Sequence, residues 1–141
     1  EKRAVSWVYR ASDQENYYAA KITVVKPGPL PVLSLVRYPV ISGREGPRVE
    51  IPIRILMHND TPYRVQLTVN GQEFSTSIEG QLVDFWRDDV HKTGGFGFFS
   101  DKGERARVYW VKLSHQDDFI GRVCAYFDPM PVDKRRSLRS F

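Results

Sequence analysis

The chain has 141 residues and a formal net charge of +4, with 41% hydrophobic and 27% charged residues. That is one globular domain with enough apolar content for a core, which excludes a disordered tail, a collagen-like repeat and a multidomain enzyme. No apolar run reaches the length of a membrane-spanning helix, and the single cysteine, Cys124, excludes an internal disulfide and a cysteine-rich metal site.

Period-two alternation dominates from the start of the chain. Residues 4–10 read as a strand, Ser12, Asp13 and Asn16 as a turn, and 16–25 as a second strand. In the second strand Tyr18, Ala20, Ile22 and Val24 share one face. The prolines of 26–31 forbid helix there. Residues 33–41 and 48–56 read as further strands, and Pro39 and Pro52 mark them as edge or bulged, since neither residue can donate to a ladder.

The segment from Pro62 to Trp86 carries the clearest pattern. Tyr63, Val65, Leu67 and Val69 alternate with polar residues, and Asn70-Gly71 supplies a tight turn with positive φ expected at both central positions. Phe74, Thr76 and Ile78 alternate on the return, Glu79-Gly80 turns the chain again, and Gln81 to Trp86 forms a third strand. This is an antiparallel meander with one wet face. Residues 95–100 and 105–113 complete the strands, while Phe119, Val123 and Tyr126 or Phe127 recur at helical spacing and predict a short helix. The organisation expected is a β-sandwich over 1–116, a docking helix over 117–128 and a basic tail over 129–141. The tail holds Lys134, Arg135, Arg136 and Arg139 and reads as a solvated terminus rather than a nucleic-acid contact.

The succession of motifs then points to a family. Val8-Tyr9-Arg10-Ala11, a polar turn and Asn16-Tyr17-Tyr18 open it. Pro62-Tyr63-Arg64-Val65, Asn70-Gly71, Gly80-Gln81-Leu82-Val83-Asp84 and Gly94-Gly95-Phe96-Gly97-Phe98 continue it. This resembles laminin-G-like, concanavalin A-like jelly rolls, near the branch of the 3-keto-disaccharide hydrolase domain and its bacterial relatives, over roughly residues 5–114. The resemblance implies an all-β, antiparallel two-sheet jelly roll in an extracellular, cell-surface or periplasmic setting. Such folds usually carry a strand before the aromatic-Arg-Ala strand, so a start at Glu1 implies a processed or truncated end, or a place that another element fills. An unfilled place would favour self-assembly by strand exchange between subunits.

Catalytic patterns are absent from the sequence. His58, His91 and His115 lack the spacing of a His-Glu-x-x-His helix, and there is no nucleophile elbow or phosphate loop. No strand carries the paired glutamates of concanavalin-like glycosidases. The aspartate pairs Asp88–Asp89 and Asp117–Asp118 raise calcium as the one candidate cofactor, because laminin-G-like domains often bind it at a loop rim. Hard cations need several converging oxygens, and turn acids in solvent are the commoner explanation. Arg10 reads as a local ion-pair partner near Asp13. The aromatic residues Tyr17, Tyr18, Phe74, Phe96, Phe98 and Trp110 read as packing.

What remains is recognition. The wet face of the meander offers Arg64, Gln66, Thr68, Ser75 and Ser77, with Asp84 and Trp86 on one parity of the third strand. Planar hydrogen-bonding groups beside an aromatic plate suit a glycan. The expected function is a non-catalytic module for recognition or self-assembly. Its alternatives are a glycan-binding module of a carbohydrate-active protein and a hydrolase of the 3-keto-disaccharide type.

Overall fold

The computed structural model describes residues 2–28, 30–56, 62–115 and 119–126, with side chains described over 3–28, 30–56 and 62–108. Among the described residues twelve strands run in chain order: β1 (Lys2–Ala11), β2 (Tyr17–Lys26), β3 (Val32–Ile41), β4 (Arg44–Glu45), β5 (Val49–Ile53), β6 (Tyr63–Asn70), β7 (Glu73–Ile78), β8 (Gln81–Arg87), β9 (Gly95–Phe99), β10 (Glu104–Arg105), β11 (Arg107–His115) and β12 (Phe119–Tyr126). They form two sheets. The first is centred on β1, β2 and β3, and the second runs β11-β12-β6-β7-β8. Among the described residues there is no helix.

Alternation in the sequence becomes burial in the structure. Trp7, Tyr9, Tyr18, Ile22, Leu33 and Leu35 of the first sheet face Val65, Leu67, Val69, Phe74 and Ile78 of the second across one continuous core. Phe96 and Phe98 close it from β9, edge to face at 5.2 Å. A second, smaller cluster lies on the opposite face of the first sheet, where Val8, Ala19, Tyr38 and Val40 pack with Tyr17 and Phe99. Beside it Lys21, only 5% exposed, pairs with Asp101 and lies 2.6 Å from Glu104. Ser6 sits between Lys21 and Phe99 in the register, and the Lys21 ammonium lies 5.8 Å from the Phe99 ring. A small side chain at this rung is flanked by two long ones, and the Ser6 hydroxyl is buried without a partner.

Three expectations change. The place beside β1 is filled, because β9 pairs with Ser6–Ala11 and β10 with Lys2–Arg3 on the edge opposite β2. This is the alternative in which another element fills the place. The helix expected near 117–128 is instead strand β12, paired on one side with β6 and on the other with β11. Nine residues make few helical hydrogen bonds and Gly121 weakens a helix further, whereas a central strand satisfies both backbone edges and the β-branched Ile120 and Val123 suit extension. The third change is Pro39, which lies in an interior strand. Its carbonyl accepts from Gly46 N–H at 2.7 Å, in the gap between β4 and β5, so its missing donor costs the ladder nothing. The basic tail over 129–141 lies outside the described residues.

The end of the sandwich around Arg10 is tightly held. Arg10 (φ 51) does not pair with Asp13. Its guanidinium donates to the carbonyls of Lys92, of His91 at 3.3 Å and of Gly71 at 2.8 Å, and lies 5.6 Å over the Phe74 ring. Asp13 instead accepts from Glu15 N–H and Asn16 Nδ2. Gly94 passes so close to β1 that a Cβ would stand 2.4 Å from the Arg10 carbonyl carbon, at φ 143. Gly94→Ala should therefore destabilise the protein by more than about 2 kcal/mol, while Gly71→Ala, with open space around it, should cost about 1 kcal/mol through its positive φ alone. Chemical denaturation of the two variants checks both.

Burial also sets an alkaline limit. Desolvation pushes the phenols of Tyr18 and Tyr38 up to about 12, from an ordinary 10.0. Folding favours their protonated forms, so the contribution is complete below about pH 10 and is lost as pH rises through about 12. The thermal midpoint should fall across that window, and a flat profile would contradict the burial.

Candidate functional site

The wet face of the meander is built by two turns and one bulge. The first turn is centred on Gly71-Gln72, since Asn70 pairs with Glu73, and positive φ occurs at Gly71 (58°) rather than at both central residues. The second has Glu79 at φ 51 and Gly80 at φ 77, the mirror-image geometry that suits a two-residue hairpin. Glu79 is held there by its N–H donating to the Arg64 carbonyl at 2.9 Å and by its Oε1 accepting from Arg64 N–H at 2.5 Å.

A regular hairpin from this turn would place Asp84 opposite Ser75 on the wet face. The structure does otherwise. Ile78 pairs with Gln81 and Ser77 with Leu82, but Thr76 pairs with Asp84 and Phe74 with Trp86. Val83 is the extra residue of a bulge, and every side chain beyond it changes face. Asp84 and Trp86 turn inward, while Phe85 turns outward.

The six residues expected to form one surface are thus divided. Arg64, Gln66, Ser75 and Ser77 do share the outer face of the second sheet, with Thr68 among them; Gln66 lies opposite Ser77, and Thr68 opposite Ser75. Asp84 is buried, its Oδ2 2.7 Å from Arg37 Nε of the first sheet. Arg37 also lies 4.5 Å over the Trp86 ring, which packs against Phe74 at 4.8 Å and Tyr18 at 5.1 Å. Asp84 and Trp86 clasp the two sheets together. The aromatic group beside the polar rows is Phe85, opposite Ser75 and 55% exposed, with Leu82 opposite Ser77 and 65% exposed. Leu82 precedes the bulge and its place follows from regular hairpin parity, whereas Phe85 lies beyond it, where parity cannot be counted from sequence alone.

Other places suit binding less. A cavity of about 200 Å³ beside the bulge of β1, lined by Val8, Ala11, Asp13 and Phe96 among others, is smaller than the roughly 300–1,000 Å³ of small-molecule pockets. His91 is buried, with Nε2 donating to the Val40 carbonyl at 2.8 Å and its N–H donating to the Tyr18 hydroxyl. Its imidazole is committed to structure. Asp89 is exposed and Asp88 half-buried, and Asp117 and Asp118 lie outside the described residues. Among the described residues, no three His, Cys, Asp or Glu side chains are grouped to hold a metal ion.

The division makes a contrast that stability measurements can read. Asp84→Ala leaves Arg37 without its carboxylate between the sheets and should cost roughly 3 kcal/mol. Trp86→Ala should cost a similar ~3 kcal/mol through lost packing, whereas Ser77→Ala on the outer face should stay within about 0.5 kcal/mol. Urea denaturation of the three variants checks this. Set against protein-family models, curated proteins and solved structures, the chain matches none of them.

Proposed function

We propose that this chain is a non-catalytic recognition module of the laminin-G-like jelly-roll kind. On this reading it acts outside the cytoplasm and binds a glycan on the outer face of the second sheet. One observation carries the reading. The bulge at Val83 sets exposed Phe85 directly beside Ser75, in a field of Gln66, Thr68 and Ser77. Hydroxyl and amide groups in two adjacent rows offer donors and acceptors at strand spacing, and an exposed ring offers an apolar plate for a pyranose face. Arg64, exposed at the end of the same face, adds a cation suited to an acidic sugar. Strand exchange between subunits has less support, because both edges of β1 are already paired along the chain.

A glycan array followed by calorimetry tests the proposal. The wild-type chain should bind at least one saccharide class. Phe85→Ala and Gln66→Ala should each weaken it by about tenfold, the loss of one stacking or bidentate contact of roughly 1.4 kcal/mol. Both variants should keep the wild-type denaturation midpoint. Binding that survives Phe85→Ala unchanged, or no binding across the array, would sink this reading.

A further inference from the structure

A different surface lies where β2 ends, β3 begins and β5 ends. The register brings these together, since Lys26 pairs with Val32 past a bulge at Val25, and Leu33 pairs with Ile53. Val25, Leu30 and Val32 stand in solvent here, between 48% and 57% exposed, and Leu56, 72% exposed, lies three residues beyond the end of β5. Leu30 is carried by the loop joining β2 to β3, and Pro27 and Pro31 restrict that loop, so little ordering is needed on contact.

Among the described residues, the charges that flank them in sequence are basic. No acidic residue occurs from Asn16 to Arg44 or from Ile51 to Leu56, while Lys26 and Arg54 flank the apolar side chains and are exposed. Glu104, on β10 beside the start of β1, is already engaged by Lys21. We propose that this end docks on an anionic lipid surface. Val25, Leu30, Val32 and Leu56 enter the interfacial layer, and Lys26 and Arg54 meet head-group charge. A second copy of the chain fits less well, because a two-fold contact here would bring the two sets of Lys26 and Arg54 together with no acids between them. The proposal is independent of the glycan face, which lies on the outside of the other sheet.

Co-sedimentation of the full chain with phosphatidylcholine vesicles, with and without phosphatidylglycerol, tests it. Binding should require phosphatidylglycerol and fall with added salt. Leu30→Glu with Leu56→Glu should lower the bound fraction by about tenfold, as should Lys26→Glu with Arg54→Glu. All four side chains are exposed, so the denaturation midpoint and any glycan binding should stay at wild-type values. Failure to pellet with anionic vesicles would overturn the proposal, as would undiminished pelleting of the leucine pair variant or equal pelleting without phosphatidylglycerol. A dimer that the leucine substitutions abolish, in a chain that ignores vesicles, would reassign the patch to self-association and overturn it too.

Discussion

A single inserted residue in β8 controls both the interior and the surface of the second sheet. Side chains on a strand alternate between faces, so one extra residue exchanges everything that follows it. With Val83 inserted, Asp84 and Trp86 meet Arg37 across the core, and Phe85 is delivered to solvent. Without it, a carboxylate and an indole would face water, and Phe85 would turn toward the Arg37 guanidinium. The clasp between sheets and the proposed binding face are two consequences of the same local irregularity.

The clasp is polar at a place where the rest of the core is aromatic. Tyr9, Tyr18, Phe74 and Trp86 form a run of rings 4.8–5.5 Å apart, and the Arg37 guanidinium lies over the last of them. The Asp84 carboxylate balances the charge that this guanidinium brings inside. An ion pair in such a position adds little net stability over apolar residues of the same shape. What it supplies is register: the pair forms only when the bulge is in place.

A similar economy holds at the Arg10 end. The guanidinium there meets three carbonyls and no carboxylate. Backbone carbonyls left over where the loop after β8 crosses a hairpin turn need donors, and a forked side chain supplies several at once. The Gly94 backbone can then lie against β1 at a distance no side chain would allow. Two arginines drawn inward thus pack on one aromatic pair, Arg10 over Phe74 and Arg37 over Trp86.

By itself the sequence determined the strand class, the placement of nearly every strand, and the core faces of β2, β6 and β7, because apolar side chains at a period of two have only one way to be buried together. The two-sheet architecture follows from that pattern. Tertiary structure alone decided three things. Residues 119–126 became a strand because β6 and β11 offered backbone partners on both sides, which no count of apolar spacing over eight residues reveals. β9 and β10 took the place beside β1, a pairing between segments about ninety residues apart. The candidate site was half legible: Arg64, Gln66, Ser75 and Ser77 were fixed by plain alternation, while the exchange of Trp86 for Phe85 depended on a bulge. A bulge is set by how the strand packs against the opposite sheet, and that information is not local to the strand that carries it.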